Sequence, residues 1–304
     1  MGTTFKKDKV KHTQSDLLQR QSLPLEAKIQ MTKLRIREFA DAMDGDIYVS
    51  FSGGKDSTVL LDLVRSVCPD TPAVFSDTGL EYPEIREFVR TIPNVIWLKP
   101  KKTFKQVVDE YGYPVVSKDS SEKIHEIRTT RSDKLRNKRM NGDQNGNGKL
   151  PNKWRFLIDA PFGISPACCD HLKKNPFKRY EKESGLRPIV GTMAGESRLR
   201  HSTYIRHGCN SFGEGVARPM SAPMSFWTEQ DVWDYIELKE LPYSDIYNKG
   251  YDRTGCMFCM FGVHLEKGEN RFQRMKRTHP DLHAYCMDKL GIRQVLEYIG
   301  VKAE

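Results

Sequence analysis

The chain has 304 residues, of which 38% are hydrophobic, and a formal net charge of +9. That length supports one large or two modest domains with a substantial core, and no apolar run approaches the roughly 20 residues of a membrane-spanning helix. The N-terminus is polar and lysine-rich, without the apolar stretch of a signal peptide, so we expect a cytoplasmic protein with no membrane partner. The positive charge suits a polyanionic partner such as a nucleotide or nucleic acid.

In chain order, residues 14–45 predict a single helix with an apolar stripe that includes Leu25, Ile29 and Ile36 and an end at Gly45. Short apolar runs then alternate with helical patterns, which is typical of βαβ units. The predicted fold class is therefore α/β: a mostly parallel twisted sheet with helices on both faces, plus helical N- and C-terminal segments. The predicted strands are 46–51, 73–76, 95–98 and 188–191, and the predicted helices between the first of them are 56–67, 83–92 and 104–111.

Two polar turns follow predicted strands. The first joins a strand to a helix and reads Ser52-Gly53-Gly54-Lys55-Asp56-Ser57. Helix N-terminal amides favour anions, and glycines let the backbone approach phosphate oxygens, so this turn predicts a phosphate site. It is not a Walker A loop, because Val49 stands where that motif needs glycine. The alternative is a turn whose glycines serve backbone geometry alone. The second turn, Asp77-Thr78-Gly79, follows the next strand, and ligands of such sheets lie at these carboxyl ends.

Residues 123–155 have a different composition, and we interpret them as a basic flexible insertion. Nine Lys and Arg side chains lie between Arg128 and Arg155, and residues 141–148 consist of Asn, Gly, Asp and Gln, which cannot bury apolar surface. The stretch 141–148 is therefore predicted to be a mobile loop. The basic segment 128–155 either contacts the phosphate backbone of a nucleic acid or forms a solvated charged face.

Seven cysteines without secretory features indicate metal or redox chemistry rather than disulfides. Adjacent thiolates chelate one zinc awkwardly but can reach two irons, so four of them favour a [4Fe–4S] cluster over zinc; four buried structural thiols are the third reading. These four are Cys168, Cys169, Cys256 and Cys259. Ser165 and Pro166 predict the N-cap and first residue of a helix that carries the adjacent pair. Cys68, Cys209 and Cys286 remain, and we expect packing roles, although Cys209 or Cys286 could be a reactive thiol.

Six motifs in order resemble the phosphoadenosine/adenosine phosphosulfate reductase family of the adenine nucleotide α-hydrolase (PP-loop ATP pyrophosphatase) superfamily. The resemblance covers roughly residues 46–262, leaving 1–45 and 263–304 as helical terminal segments. The motifs are SGGKDS (52–57), SDTGLEYPEI (76–85), CCDHLKKNP (168–176), GTMAGESRLR (191–200), WTEQDVWDYI (227–236) and LPYSDIYNKGYDRTGCMFC (241–259). The resemblance to the iron–sulfur members implies a [4Fe–4S] cluster on Cys168, Cys169, Cys256 and Cys259.

The resemblance also implies roles for the nucleotide site, with ATP and Mg²⁺, or a sulfonucleotide, as ligand. Asp56 would anchor the loop or place Mg²⁺, and Lys55, Asp56 and Arg200 are the candidate catalytic residues. Arg200 is expected to contact phosphate or sulfate. The remaining nucleotide-site residues are the phosphate-loop members Ser52, Gly53, Gly54 and Ser57, the adenine or ribose neighbours Asp77, Thr78 and Gly79, and the substrate-facing Gly191, Glu196 and Ser197.

Two departures from the reductases direct the functional hypothesis. The sequence has no C-terminal Glu-Cys-Gly-x-His motif, and its phosphate loop keeps a lysine suited to departing pyrophosphate. We therefore expect an ATP-dependent enzyme that adenylates an acceptor, releases pyrophosphate and lets sulfur replace the activated oxygen, with a nucleic-acid acceptor and a sulfur or electron donor protein as partners. The alternatives are a sulfonucleotide reductase that releases sulfite, and a non-catalytic nucleotide-binding redox sensor.

Overall fold

The computed structural model describes residues 11–213 and 216–304; residues 1–10 of the predicted N-terminal segment lie outside this part. Its strands are β1 Ile47–Ser50, β2 Ala73–Ser76, β3 Val95–Leu98, β4 Val115–Val116, β5 Arg187–Val190, β6 Asn210–Ser211, β7 Met220–Ser221 and β8 Met260–Phe261. Its α-helices are α1 Gln14–Gln21, α2 Leu25–Ala42, α3 Lys55–Arg65, α4 Pro83–Thr91, α5 Phe104–Tyr111, α6 Lys118–Thr129, α7 Asp133–Asn141, α8 Ala167–Cys169, α9 Asn175–Ser184, α10 Arg198–His207, α11 Glu229–Lys239, α12 Arg271–Thr278, α13 Pro280–Ala284 and α14 Ile292–Tyr298.

The described chain forms two compact units. The first unit contains residues 11–76, 83–98 and 178–253, and the second contains 77–82, 99–177 and 254–304. The predicted division into segments 1–45, 46–262 and 263–304 stays a prediction. Within the described residues, no helix combines the length and the apolar character needed to cross a bilayer.

The first unit is built on a six-stranded sheet in the order β3-β2-β1-β5-β7-β6, and this confirms the predicted α/β class with a mostly parallel sheet. All neighbours run parallel except the antiparallel pair β6–β7. The side chains of β2 are buried throughout, whereas those of β3 at the sheet edge are half-buried. The strand order reverses between β1 and β5, since β2 and β3 extend to one side of β1 and β5 lies on the other. A parallel sheet opens a ligand crevice at such a reversal.

The predicted single helix over 14–45 is wrong. Two helices occupy this stretch, α1 and α2, and residues 22–24 separate them. Pro24 is the cause, because proline lacks the N–H that an uninterrupted helix needs and its ring clashes with the preceding turn. Pro24 instead takes the N-cap position of α2 with an extended ψ of 148°.

Helix α2 is fixed to α11 by buried polar contacts within the first unit. The Lys28 ammonium lies 2.7 Å from both carboxylate oxygens of Asp231. Trp227, which precedes α11, donates its indole N–H to the Thr32 hydroxyl at 2.8 Å. Thr228 caps α11 and forms a capping box with Asp231. Asp231 therefore serves both the start of α11 and the docking of α2.

The second unit contains the parallel pair β4–β8 and the basic stretch 123–155. The stretch includes the C-terminal part of α6, all of α7 and the first residues of a 3₁₀ segment, Asn152–Asp159. Between α7 and the 3₁₀ segment, one Asp143 carboxylate oxygen accepts from the amides of Asn145 and Asn147 at 2.9 Å each. The predicted flexibility of this stretch stays a prediction.

Candidate functional site

The candidate site lies in the first unit, at the reversal between β1 and β5. The loop after β1 leads into α3, and the loop after β5 leads into α10. Between them is a cavity of about 310 Å³, which we call the Lys55 cavity. Its lining residues come from these two loops, from the start of α11 and from two further positions: Lys55, Asp56, Met193, Gly195, Glu196, Trp227, Thr228, Glu229, Gln21 and Arg253.

The loop after β1 is held by hydrogen bonds among its own hydroxyls. The Ser52 amide donates to the Ser57 hydroxyl at 3.1 Å, and the Gly54 amide donates to the Ser52 hydroxyl at 3.3 Å. The Ser57 hydroxyl in turn donates to the Gly54 carbonyl at 2.8 Å. No side chain caps α3 at Gly54, so its first amides are available to an exogenous anion, apart from the Lys55 amide, which donates to the Tyr247 hydroxyl at 2.8 Å.

Two glycines permit the close packing of this site. Gly53 has a left-handed φ of +73°, and a Cβ there would lie 2.7 Å from a Val89 methyl carbon. Gly191 directly follows the neighbouring strand β5, and a Cβ there would lie 3.0 Å from the Asp56 carbonyl oxygen. Both positions therefore need glycine for space, and Gly53 also needs it for its backbone conformation.

Lys55 is the most enclosed cation of the site, with 3% of its surface exposed. Its ammonium donates to the Asp252 carbonyl at 3.2 Å and lies 3.1 Å from a Glu229 carboxylate oxygen. The rings of Trp233 and Tyr247 stand 5.8 and 5.6 Å from it. Burial acts to lower the pKa of Lys55, but Asp56 and Glu229 outweigh it, so the pKa lies above its ordinary value and the group stays charged.

Asp56 carries the unsatisfied oxygen of the cavity. Its Oδ1 is buried and accepts no hydrogen bond, although the Lys55 ammonium stands 3.6 Å away. Burial raises the pKa of Asp56, and the Glu196 and Glu229 carboxylates add to the effect that Lys55 opposes. A buried carboxylate oxygen without a donor is a suitable ligand for a hard cation, so the chemistry of this residue fits Mg²⁺.

The loop after β5 brings Glu196 into the same cavity. One Glu196 oxygen accepts from the Met193 amide at 2.7 Å, and the other accepts from Arg253 at 3.2 Å. Arg200 forms an ion pair with Glu196 on the exposed side. Ser197 is the N-cap of α10, since its hydroxyl accepts from the Arg200 amide at 3.2 Å. Glu196 thus lines the cavity and also pairs with Arg200, the predicted catalytic arginine.

Asp77, Thr78 and Gly79 belong to the second unit and form a turn closed by Glu81. The Thr78 amide and hydroxyl donate to the Glu81 carboxylate at 3.0 and 2.7 Å. The Gly79 amide donates to Asp77 at 3.3 Å, with Gly79 at a φ of +74°. These bonds fix the turn from within, and its predicted contact with adenine or ribose stays a prediction.

The four predicted ligand cysteines all lie in the second unit and act on one another electrostatically. Cys168 and Cys169 share a hydrogen bond, which raises the pKa of Cys168 and lowers that of Cys169 to about 6. Burial raises the pKa of Cys259 to about 11 and also raises the pKa of Cys256, although the Lys173 ammonium opposes the rise at Cys256 through its charge and a hydrogen bond. Cys168 is influenced by all three of the other thiols.

Helix α8, which carries the adjacent pair, begins one residue later than predicted. Pro166 rather than Ser165 is its N-cap, and Ala167 is its first residue. The Ser165 hydroxyl still accepts from the Ala167 amide at 3.1 Å, as in a turn that precedes a helix. An N-cap hydroxyl ordinarily accepts from the second or third helical amide, so this bond has the spacing predicted for Ser165 although the helix begins one residue later.

The four thiols do not converge as the ligands of a single metal ion, but they suit an iron–sulfur cluster as a donor set. Among residues 11–213 and 216–304, no three His, Cys, Asp or Glu side chains converge in a way that holds a single metal ion. A [4Fe–4S] cluster places a different requirement on its ligands, because each iron takes one thiolate and the ligands stand apart around the cube. Four mutually interacting thiols on two segments fit that donor set better than they fit zinc.

The three other cysteines are unsuited to nucleophilic chemistry. Cys286 is fully buried, and burial raises its pKa. Cys209 is buried too, with a pKa raised to about 11 by burial. Cys68, shortly after α3, is half-buried, and burial raises its pKa as well. Neutral, enclosed thiols favour the packing role expected for them.

Sequence reasoning missed three residues that contact Lys55 or Glu196 through polar groups: Glu229, Tyr247 and Arg253. Glu229 follows the cap of α11 and has a side chain 59% exposed, so its motif indicated only a helix start. Tyr247 and Arg253 lie almost 200 residues after Lys55 in the sequence, and no local pattern links them to it. The six ordered motifs were the available signal, since both residues fall within the last of them.

Comparison with known proteins decides the family. The phosphoadenosine phosphosulfate reductase domain matches residues 46–261. The chain belongs to this family. The resemblance expected from the six motifs is thereby confirmed.

Among relatives in this family, an uncharacterized protein of Methanocaldococcus jannaschii is 28% identical over 80% of this chain; the chain spans only 47% of that relative's length. An adenosine 5′-phosphosulfate reductase of Staphylococcus epidermidis is 24% identical, over 79% of this chain and 82% of the enzyme. A solved phosphoadenylyl-sulfate reductase of Candida auris has a TM-score of 0.44 at 17% identity, over 80% of this chain and 95% of that one.

Proposed function

We propose that this member of the phosphoadenosine phosphosulfate reductase family is an ATP-dependent activating enzyme of sulfur transfer. It binds ATP at the loop 52–57, adenylates an oxygen of an acceptor and releases pyrophosphate. The basic segment 128–155 favours a nucleic-acid acceptor. The proposal includes the nucleotide-site residues expected from the sequence and adds Glu229 and Tyr247.

One observation carries this proposal: Lys55 is charged and enclosed at the uncapped start of α3, beside the Lys55 cavity. An ammonium and free helix amides stabilise the charge that develops on departing pyrophosphate. In the absence of phosphate, the ammonium is balanced by Asp56 and Glu229. A triphosphate would compete with Glu229 for Lys55, while Asp56 would place Mg²⁺.

The proposed chemistry balances in two steps. An acceptor oxygen attacks the α-phosphorus of ATP, the bond from that phosphorus to the bridging oxygen breaks, and pyrophosphate leaves with the electron pair. A hydrosulfide-level sulfur from a donor then attacks the activated atom of the acceptor, and AMP leaves with the former acceptor oxygen. Both steps are substitutions, and neither needs an oxidant or a reductant, because sulfide-level sulfur replaces oxygen at the same oxidation level.

Cys168, Cys169, Cys256 and Cys259 would hold a [4Fe–4S] cluster. When bound, such a cluster supplies a polarisable, charged or redox-active centre. The thiolates of this chain bind it, and the Lys173 and Lys118 ammonium groups near Cys256 and Cys169 offset negative charge there. All four cysteines serve as ligands in this assignment.

Pyrophosphate release tests the proposal. We expect the protein, prepared without oxygen, to convert ATP to AMP and pyrophosphate when single-stranded RNA or DNA and sulfide are supplied. The Lys55→Ala variant should lose about 100-fold or more of this rate, as expected for removing a group that stabilises transition-state charge. Lys239→Ala, which removes an exposed lysine from α11, is the matched control and should keep the rate.

Two results would contradict the proposal. Sulfite release from a sulfonucleotide without pyrophosphate release from ATP would assign the protein to the reductases. Tight ATP binding without turnover under every acceptor condition would instead make it a nucleotide-binding sensor.

Sulfonucleotide reduction is the second candidate, and the similarity to adenosine 5′-phosphosulfate reductase favours it. That reaction needs a thiolate that attacks the sulfur of the substrate while AMP leaves, and then a dithiol donor that releases sulfite. The two candidate reactive thiols outside the proposed cluster set, Cys209 and Cys286, are buried with raised pKa values, and the pKa of the third remaining thiol, Cys68, is also raised. The activating reaction is therefore the better supported of the two.

A further inference from the structure

The second unit carries a strip of aromatic rings that the nucleotide site does not use. Phe156 and Tyr298 are 43% and 39% exposed, which is high for large apolar side chains. Trp154 and Phe162 beside them are half-buried. We call these four residues the aromatic strip.

The rings of the strip contact one another in sequence. The Trp154 and Phe156 centroids are 6.1 Å apart, those of Phe156 and Tyr298 are 5.7 Å apart, and those of Tyr298 and Phe162 are 5.4 Å apart. The His264 ring packs edge-on against the Trp154 ring, with the two centroids 4.9 Å apart. A connected row of exposed ring surface offers several adjacent places for a flat apolar ligand.

One cation borders the strip, and three exposed lysines precede it in the chain. The Lys153 ammonium stands 5.2 Å from the Trp154 ring centre. On the preceding α7 and the turn after it, Lys134, Lys138 and Lys149 are exposed. No ion pair engages these four lysines within the described residues, so their charge faces solvent.

Three arginines of the segment connect the part of the chain that carries the strip to helices α6 and α7. The Arg128 guanidinium donates at 2.7 to 2.9 Å to four carbonyls in the stretch after Phe156, those of Leu157, Ile158, Ala160 and the strip residue Phe162. Arg155 donates to the Met140 carbonyl in α7. Arg139 forms an ion pair with Glu126 in α6. The exposed lysines and the rings are therefore held on one framework.

We propose that the aromatic strip and its lysines bind a single-stranded nucleic acid, with bases stacked on the rings and phosphates near the lysines. This inference rests on the proposed function and deepens it, because it gives the acceptor a binding surface. Rings beside unpaired lysines are the combination that single strands require, since every base has a flat face and every nucleotide a phosphate. A duplex keeps its bases stacked on one another and cannot use the rings.

Binding measured without ATP tests the inference. A short fluorescein-labelled single-stranded oligoribonucleotide is titrated with the full chain and followed by anisotropy, beside single-stranded DNA and a duplex of the same sequence. We expect the single strands to bind more tightly than the duplex. Phe156→Leu and Tyr298→Leu, which keep apolar bulk but lose the ring, should each weaken binding by about fivefold to thirtyfold.

Three further variants sharpen the result. Tyr298→Phe keeps the ring and should bind like the wild type. Phe212→Ala removes a comparably exposed ring, 38% exposed, from the first unit and should leave affinity unchanged. Lys153→Ala should reduce the slope of log affinity against log salt by about 0.7.

Wild-type affinity in both leucine variants, or equal affinity for the duplex, would overturn the inference. A change in self-association of those variants without a change in nucleic-acid affinity would show that the strip binds protein instead. Because ATP is absent, these outcomes are separate from pyrophosphate release: Lys55-dependent turnover on a small acceptor would uphold the proposed function even if the strip bound no nucleic acid.

Discussion

At the scale of single residues, the Lys55 cavity holds a group that costs the fold stability. Burial raises the pKa of Asp56 and so opposes its ionisation, and the two neighbouring carboxylates, Glu196 and Glu229, add to this effect. Lys55 offsets part of this cost, and one Asp56 oxygen accepts no hydrogen bond. Such uncompensated polar groups mark places where binding is favoured over stability.

The raised pKa of Asp56 predicts a pH-dependent stability. The folded chain binds a proton at this group at pH values where the unfolded chain, with a pKa near 3.8, has lost it. Stability therefore falls as pH rises from about 3.8 through the raised folded pKa, and the full cost is present above it. Asp56→Asn removes the cost, so we expect a higher urea midpoint than wild type at neutral pH without Mg²⁺, and a difference that shrinks toward pH 4.

The matched control for this prediction is Asp70→Asn, at an exposed carboxylate. It should leave the midpoint unchanged at both pH values. A lower midpoint for Asp56→Asn at neutral pH would mean that the Lys55–Asp56 attraction exceeds the cost of burial. The same variant should lose pyrophosphate release, which would separate stability from activity at one position.

At the scale of secondary-structure elements, local patterns predicted most of the first unit. The bounds of β2, β3 and α5 match the prediction, because each is an apolar or amphipathic run with clear flanking residues. The Thr228 capping box was predictable for the same reason. The prediction of one helix over 14–45 failed at Pro24. The apolar stripe continues on both sides of Pro24, although proline interrupts the backbone hydrogen bonds of a helix. At the site, Gly53 and Lys55 followed from the motif, but the Glu229 and Tyr247 partners depend on long-range folding that no local pattern encodes.

The docking of α2 is also a long-range feature, and it predicts a stability effect. Lys28 and Asp231 form a buried pair with side chains 3% and 11% exposed. Lys28→Met leaves the Asp231 carboxylate buried without its cation, which typically costs about 3 kcal/mol or more. We expect a clearly lower urea midpoint, read by circular dichroism. Arg37→Met, which removes an exposed cation from the same helix, should cost less than about 0.5 kcal/mol.

A loss no larger than that of Arg37→Met would show that the Lys28–Asp231 pair does not fix α2. The Thr32–Trp227 hydrogen bond would then be the main polar contact between α2 and the residues before α11. Thr32→Val separates the two contributions, since it removes only the hydroxyl that accepts from the indole.

At the scale of the whole molecule, the proposed chemistry is divided between the units. The phosphate loop, the Lys55 cavity and their hydrogen-bond partners are all in the first unit, whereas the four proposed cluster ligands and the aromatic strip are in the second. The hydrogen bonds and ion pairs described above for each set join residues of the same unit. Damage to one set should therefore leave the binding property of the other intact, even if turnover requires both.

This division predicts how cluster variants behave. We expect the chain reconstituted without oxygen to bind about four irons and four sulfides, the content of one [4Fe–4S] cluster. Serine at Cys168, Cys169, Cys256 or Cys259 should lower the iron content in every case, because serine is a harder and far less acidic donor than a thiolate. Cys68→Ser and Cys209→Ser are the controls and should keep full iron.

ATP affinity, measured by calorimetry, should be unchanged in all six cysteine variants and lost only with Lys55→Ala. Full iron content after replacing any one of the four would remove that cysteine from the ligand set, and a single bound zinc in place of iron would replace the cluster by a tetrahedral metal site.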